Sequence, residues 1–362
     1  MERKHKKRLL HLFTLLLLLS ISSVAPEVTG EPTPKNTAPD PEIIVNISSV
    51  TTTIQDAINS AQPHSTIQLP AGIYTEILTL NKPLHLKGEG ITQTYLAPTS
   101  PNNGYAIRIV AEGVTLSGLD ITNQGPGIYT TCVKISASYT IIQNCTFRNT
   151  PIGIAIWNST NTISGCDFRG CDDEGIVLLG TAKTPCSNNT ITSCTFHGNC
   201  DGIELQYATD NQINSCTFTQ NTHAGIDAIE SNNNNNIISN CEFTANQGFG
   251  LYLAGSSYNT ITGCSFVDDS IALQHASENI ISNSEVSTIR LMDHSSLLLE
   301  QCKGIDESAI ISQQSSYTID NTVSTRESPL TTNKESPRHP LLTILLDRLT
   351  EIRSFYRVLR QQ

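Results

Sequence analysis

The stretch Asn211-Gln-Ile-Asn-Ser-Cys216-Thr-Phe218 decides the fold, because close copies of it occur along much of the chain. The shared pattern is Asn-x-Ile-x-x-Cys-x-Phe; other copies start at Asn161, Asn189, Asn236 and Asn259, with a variant starting at Thr140. Cysteines of consecutive copies are 21, 28, 22, 25 and 23 residues apart. A repeat of this length with inward residues at alternate positions predicts a β-solenoid, in which each copy is one turn.

Each turn is predicted to contain three short strands. Asn-x-Ile forms the first, Cys-x-Phe forms the second with both named side chains inward, and Gly-Ile-x-Leu or a close variant forms the third. The third phrase starts at Gly153, Gly175, Gly202, Gly225 and Gly250. We expect these glycines to adopt a left-handed backbone at a corner. We expect the asparagines to form hydrogen bonds from turn to turn.

Segments outside the repeats divide the chain further. Residues 1–25 have a basic start, an apolar run and a small-residue cleavage site, which is typical of an export signal that is cleaved or kept as an anchor. Residues 26–46 predict a proline-rich linker, residues 47–324 the β-helix domain and residues 325–340 a second linker. Within the domain, Thr53–Gln62 predicts a short helix that caps the first turn. The sequence thus predicts a secreted or cell-surface protein.

The last segment, residues 341–362, predicts an amphipathic helix with leucine-rich, heptad-like spacing and flanking arginines. Three roles remain open for residues 341–359: packing on the end of the solenoid, self-association, or contact with a membrane surface. The net charge of the whole chain is −11. That charge argues against a nucleic-acid partner.

The 11 cysteines fall into two groups. Those of the repeated phrase share one inward position, which predicts a stacked column of reduced thiols in the core. Cys171 and Cys200 lie outside the column, at similar depth in adjacent loops. We predict a disulfide between these two residues, because export brings a chain into an oxidising environment.

Three N-terminal segments, Thr53–Ile58, Ile67–Glu76 and Asn81–Gly90, closely resemble the cap and first turns of pectin-lyase-like right-handed parallel β-helix proteins. The repeats are similar to the NosD-type, or carbohydrate-binding and sugar hydrolysis, subset of that family. The resemblance spans roughly residues 50–320 and implies an all-β right-handed parallel β-helix of about ten turns. It implies no single activity, because the family includes lyases, hydrolases, epimerases, adhesins and copper-related accessory proteins.

Acidic residues concentrate beside the Gly-Ile-x-Leu strands of three consecutive turns. Glu204 and Asp227 occupy the x position of adjacent turns, so their backbones should lie about 5 Å apart. The sequence predicts that they converge on one corner with Asp172, Asp173, Glu174, Asp201 and His223.

Three interpretations of this corner remain open. Glu204 and Asp227 could act as acid and nucleophile on a glycosidic bond, with His223 as a further acid or base. Asp173, Glu174 and Asp201 could instead hold Ca²⁺, although nothing in the sequence requires a cofactor. The third interpretation is a solvated acidic edge without chemistry.

Departures from known β-helix enzymes bear on that choice. Asp172-Asp173 matches one hydrolase phrase of the fold, Thr222–Gly225 half matches its histidine phrase, and no Arg-Ile-Lys phrase occurs. The outward aromatic residues Trp157, Tyr207 and Tyr252 could stack on sugar rings. The sequence therefore favours polysaccharide binding or scaffolding over catalysis. The alternatives are a polysaccharide lyase, hydrolase or epimerase, and an architectural or copper-accessory protein.

Overall fold

The computed structural model describes residues 44–46, 53–229, 232–305 and 307–320 of the chain. They wind into a right-handed parallel β-helix of about 11 turns, which confirms the predicted all-β fold. Paired strands are parallel and one turn apart, so that Ile191 pairs with Ile213 and Phe196 with Phe218. Each turn contributes strands to three faces, and the strands are numbered in chain order across all of them.

The first face is a 13-stranded sheet that contains the Asn-x-Ile strands. Its members are β1 (Ile44–Asn46), β2 (Thr66–Leu69), β5 (His85–Gly88), β8 (Thr115–Ser117), β11 (Ile141–Gln143), β14 (Thr162–Ser164), β18 (Thr190–Thr192), β22 (Gln212–Asn214), β25 (Ile237–Ser239), β28 (Thr260–Thr262), β30 (Asn279–Ser282), β32 (Ser296–Glu300) and β34 (Ser316–Asp320).

The second face contains the Cys-x-Phe strands. Its members are β3 (Gly72–Tyr74), β6 (Thr94–Leu96), β9 (Asp120–Ile121), β12 (Thr146–Arg148), β15 (Asp167–Arg169), β19 (Thr195–His197), β23 (Thr217–Thr219) and β26 (Glu242–Thr244). Two long strands, β29 (Ser265–Gln274) and β31 (Glu285–Met292), run on into the third face. They join the second and third faces into one 19-stranded sheet.

The third face contains the Gly-Ile-x-Leu strands and carries the acidic cluster. Its other members are β4 (Leu78–Leu80), β7 (Tyr105–Ile109), β10 (Thr131–Ile135), β13 (Ile152–Ile156), β16 (Glu174–Leu179), β20 (Asp201–Gln206), β24 (Ala224–Ala228), β27 (Phe249–Ala254) and β33 (Ile310–Ser312). Two further short strands, β17 (Cys186–Ser187) and β21 (Ala208–Thr209), pair with each other.

Helix is a minor part of the described residues. Helix α1 (Ile54–Ser60) begins after Thr53, whose hydroxyl accepts a hydrogen bond from the amide of Asp56, and buries Ile54, Ala57 and Ile58. A single 3₁₀ turn covers Glu307–Ala309. No helix among these residues is long and apolar enough to cross a bilayer.

Several predicted segments lie outside the described residues. These are the export signal (1–25), the second linker (325–340) and the C-terminal amphipathic helix (341–362). The predicted first linker lies outside them as well, except for its last three residues, which form β1 and pair with β2.

The core of the solenoid is a set of aligned columns. Six phenylalanines stack face to face, with ring centroids 4.4–4.9 Å apart in successive turns: Phe147, Phe168, Phe196, Phe218, Phe243 and Phe266. The asparagine that opens each phrase is buried, as Asn189 illustrates. Its backbone and side-chain amides donate to Oδ1 of Asn211 at 2.9 and 3.0 Å. The predicted turn-to-turn asparagine bonding is confirmed.

The glycines of the third phrase have a different role from the predicted one. Gly202 lies inside β20, and none of its repeat equivalents has a left-handed backbone. A Cβ on Gly202 would lie 2.5 Å from the carbonyl oxygen of Gly225 and 2.6 Å from the ring of Phe218. Glycine is needed there because the strand lies against the phenylalanine column. The left-handed corner falls one residue before each cysteine, as at Ser193 and Ser215.

The cysteine column is buried as predicted. Hydrogen bonding with the neighbouring thiol of Cys194, together with burial, raises the pKa of Cys216 to about 12. The predicted disulfide is not formed, since Cys171 and Cys200 are both reduced thiols in the structure. They lie on adjacent turns, where the amide of Cys200 donates to the carbonyl oxygen of Cys171 at 3.0 Å.

Candidate functional site

The register of the third face brings the predicted acidic residues together. β16, β20 and β24 are consecutive neighbours, and Glu204 on β20 pairs directly with Asp227 on β24. Asp201, at the start of β20, pairs with Glu174 at the start of β16. The adjacency that the aligned phrases predict is therefore present. We call Asp173, Glu174, Asp201, Glu204, His223 and Asp227 the acidic cluster.

Most of the acidic cluster is buried. Asp201 is 0% exposed, and Glu204 and Asp227 are each 2% exposed. The prediction of a solvated acidic edge is therefore wrong for these residues. Burying carboxylates costs free energy unless they are paired, protonated or bound to a cation. A fold that holds several of them side by side needs a reason beyond packing, and such sites are often functional.

His223 lies between two of these carboxylates. Its Nδ1 is 2.8 Å from Oδ1 of Asp201 and 3.5 Å from Oδ2 of Asp227. The backbone amide of His223 donates to the carbonyl oxygen of Cys200 at 2.9 Å, which fixes the residue just before β24. A proton on Nδ1 would be donated to Asp201, so the imidazole ties two adjacent turns together.

Glu204 has the most perturbed environment of the cluster. Burial, followed by the nearby charges of Asp227, Asp173 and Asp201, raises its pKa well above the ordinary value. The side-chain amide of Gln206 donates to Oε1 of Glu204 and opposes that shift. The result is a carboxyl group that keeps its proton to higher pH than an exposed glutamate.

An open groove of about 570 Å³ adjoins Glu204. Its acidic wall is formed by Asp172, Asp173, Glu174 and Glu204. Its other wall is the segment 123–129, which contributes Ile128 and Tyr129. Glu204 and Asp173 also line a smaller space of about 30 Å³ together with Tyr129 and Gln206. A protonatable carboxyl, ionisable carboxyls and an aromatic ring therefore meet in one cleft.

Asn123 shapes the second wall. Its Oδ1 accepts from the backbone amides of Ser100 and Gly125 at 3.1 Å each, and its Nδ2 donates to the carbonyl oxygen of Thr131 at 2.8 Å. Sequence reasoning missed this wall and also missed Gln206. The signal for the wall was the Gly125-Pro126-Gly127 insertion, which interrupts the spacing of the turns.

The predicted sugar-stacking residues lie elsewhere. Tyr252 is 2% exposed and its hydroxyl donates to Oε1 of Gln274 at 2.5 Å, so the prediction of a surface stacking position is corrected. Burial raises its pKa, as do the charges of Asp227 and Asp293. Trp157 and Tyr207 are half-buried, and neither lines the groove. Trp157 and Tyr129 both pack against an apolar cluster formed by Ile152, Ala155, Val177 and Leu179. The ammonium nitrogen of Lys134 lies 5.6 Å from the centre of the Trp157 ring.

The structure also divides the predicted calcium ligands. Asp173 and Glu174 line the groove, whereas Asp201 groups with His223 and Asp227, whose donor atoms all lie within 4.8 Å of one another. One imidazole and two carboxylates would suit a divalent transition metal better than Ca²⁺, which prefers oxygen ligands alone.

Together these features define a right-handed parallel β-helix protein with an acidic groove on its third face. The chain belongs to the family described as periplasmic copper-binding protein (NosD), whose family profile matches residues 86–288. No curated protein matches the chain.

Solved structures share the fold at low identity. ORF18 of Geobacillus virus E2 superposes with a TM-score of 0.53 at 16% identity, over 76% of this chain and 61% of the viral protein. The Agl-KA catalytic domain gives 0.52 at 14% identity, over 71% of this chain and 63% of that domain. The catalytic domain of a GH87 α-1,3-glucanase in complex with nigerose superposes with a TM-score of 0.51 at 16% identity, over 84% of this chain and 70% of that domain. The chain thus spans less than two thirds of the length of the viral protein and of the Agl-KA catalytic domain.

Copper is the metal that the family description names. The cysteine column does not fit a soft Cu(I) site, because its thiols are sealed in the core and point to backbone carbonyls. The nitrogen and oxygen donors of Asp201, His223 and Asp227 are also not the sulfur ligands that Cu(I) prefers. Cu(I) therefore does not fit the residues present, whereas one imidazole with two carboxylates is a donor set that would suit Cu(II) as well as other divalent transition metals.

Proposed function

We propose that this protein binds a polysaccharide in the groove and cleaves its glycosidic bonds, with Glu204 as the general acid. The observation that carries the proposal is a buried carboxyl of raised pKa in the wall of an open cleft. A catalytic acid must hold its proton at the working pH and still reach the substrate. Glu204 combines both properties.

Asp173 is the best candidate for the second carboxylate. It lines both the groove and the smaller space beside Glu204, and its charge acts on the pKa of Glu204. Hydrolysis of a glycosidic bond needs such a pair. Glu204 would donate its proton to the glycosidic oxygen as the bond to the anomeric carbon breaks. Asp173 would take a proton from the water whose oxygen bonds to that carbon.

Other residues would support these two. Burial raises the pKa of Glu204, the charges of Asp227 and Asp201 add to that shift, and Nδ1 of His223 contacts both of these carboxylates. Tyr129 offers an aromatic surface across the groove on which a sugar ring could stack. Trp157 packs against the same apolar cluster as Tyr129 and would support that wall.

We also propose that the protein works outside the cytoplasm. The basic and apolar start of the chain supports this, as does the family description as periplasmic. Mass spectrometry of the exported protein would test the proposal by finding the mature N-terminus near residue 25. A protein that stays in the cytoplasm would contradict it.

The catalytic proposal is tested by measuring new reducing ends in a panel of polysaccharides. The wild type should release them from at least one polymer, and Glu204→Gln should lose at least about a hundredfold in rate. Glu242→Gln makes the same change at an exposed strand position and should keep full activity. Binding without any product, or a fully active Glu204→Gln variant, would overturn catalysis at this site.

A further inference from the structure

We propose that the groove selects against anionic polysaccharides and takes neutral or amino-sugar polymers. This inference rests on the proposed function, since it names the substrate class of the same groove. The two are tested by different measurements. The inference is tested by the ratio of affinities for matched polymers, whereas the proposed function is tested by the release of product.

The described residues that line the groove include acidic side chains but no basic ones. The acidic residues of the lining are Asp172, Asp173, Glu174 and Glu204. The other lining residues are asparagine, glutamine, glycine, proline, isoleucine and tyrosine. Among the residues that the structure describes, no lysine, arginine or histidine is part of that lining. A polymer with a carboxylate or sulfate on every sugar would therefore meet carboxylates without a compensating protein cation.

Nearby cations are already engaged. On the second face, Arg148 Nε lies 2.9 Å from Asp120, and Arg169 forms an ion pair with Asp167. On the third face, the ammonium group of Lys134 lies over the ring of Trp157. These contacts direct Arg148, Arg169 and Lys134 to partners that do not line the groove.

The wall also favours positive charge on a ligand. Asp172 is exposed at the edge of the groove, and Asp173 lies next to it in the chain. An ammonium group on a bound sugar would be attracted to these carboxylates, and a partly desolvated cleft strengthens such attraction relative to bulk water. The expected order of affinity is amino-sugar polymer first, its neutral form second and a polyuronate last.

Matched polymers isolate charge from shape. Chitosan can be compared with its N-acetylated form, and de-esterified pectin with its methyl-esterified form, by equilibrium binding in EDTA at low salt. We expect the esterified pectin to bind at least about tenfold more tightly than the de-esterified one, and added NaCl should reduce the ratio. Equal or tighter binding of the de-esterified form would overturn the inference.

A charge-reversal variant provides a second test. Asp172→Lys is an exposed substitution that leaves Glu204 and Asp173 in place, and it should lower the pectin ratio to below about threefold. Asp210→Asn, an acidic residue exposed on a different corner, should leave the ratio unchanged. If added CaCl₂ reverses the preference in the wild type, the groove takes polyuronates through bridging cations, and the inference is wrong.

Failure of this inference can be told apart from failure of the proposed function. Reducing ends released from a polyuronate would support cleavage and overturn charge selection. A correct affinity order without any product would support charge selection and overturn cleavage.

Discussion

Nδ1 of His223 lies 2.8 Å from Oδ1 of Asp201, and both side chains are buried between adjacent turns of the β-helix. The same nitrogen lies 3.5 Å from Oδ2 of Asp227. The histidine therefore places one ring nitrogen beside two buried carboxylates of adjacent turns. Its contribution to the folded state follows from that position.

Replacing His223 should destabilise the fold. In His223→Leu, two buried carboxylates lose the imidazole nitrogen that contacts both of them, and we expect a loss of about 3 kcal/mol in the free energy of unfolding. Asp201→Asn in the same chain should recover part of the loss, because it removes one of the charges. Urea unfolding of both single variants and the double variant measures this coupling. Additive losses would show that His223 and Asp201 do not interact energetically.

Glu204 should make stability depend on pH. Burial and the neighbouring carboxylates raise its pKa in the folded protein above the ordinary value of 4.5. Its contribution is therefore fully present below that value and is lost as pH rises through the raised folded pKa. Urea unfolding at about pH 5 and about pH 8 should show the wild type weakening relative to Glu204→Gln. A constant difference between the two proteins would contradict the raised pKa.

The phenylalanine column should dominate local stability. Phe196 is fully buried between Phe168 and Phe218, so Phe196→Ala should cost about 3–5 kcal/mol through lost burial and the cavity left behind. Ile237→Ala removes a side chain that is 42% exposed on β25 and should cost less than about 1 kcal/mol. Thermal or urea unfolding gives both values. Similar losses for the two variants would mean that the column is not the main source of stability.

Alanine substitutions at Gly202 and Gly198 test two different costs, which are tight packing at Gly202 and backbone strain at Gly198. Gly202→Ala places a methyl group against the Gly225 carbonyl oxygen and the Phe218 ring, which should cost about 1–3 kcal/mol. Gly198 has open space around it but a φ of +65°, so Gly198→Ala should cost about 1 kcal/mol through the backbone alone. Shortening Phe218 to leucine should reduce the penalty of Gly202→Ala and leave that of Gly198→Ala unchanged. No such rescue would show that the close approach at Gly202 is not limiting.

The sequence predicts the fold and the neighbours within it because the repeat fixes the register. Once Gly202 and Gly225 are aligned, Glu204 must pair with Asp227, and the structure has that pair. Burial of the cluster could not be predicted in the same way. It depends on packing with residues outside the aligned phrases, such as the 123–129 segment that lines the groove together with Glu204.

The groove also could not be predicted from the repeats. Its second wall comes from residues 123–129, which match no repeated phrase, so alignment of the turns does not locate Tyr129 opposite Glu204. The position of Tyr252 was mispredicted for a related reason. Alternation along β27 points its ring away from the core, but Phe249 and Gln274 enclose it on that outer side.

The proposed function requires Glu204 to present a protonated carboxyl to the groove at neutral pH. Infrared difference spectroscopy between wild type and Glu204→Gln tests it directly, because protonated and ionised carboxyl groups absorb at different frequencies. We predict that the wild type at neutral pH shows a protonated-carboxyl band that Glu204→Gln lacks and Glu242→Gln retains. A difference spectrum that contains only the ionised-carboxylate bands of Glu204 would contradict the account.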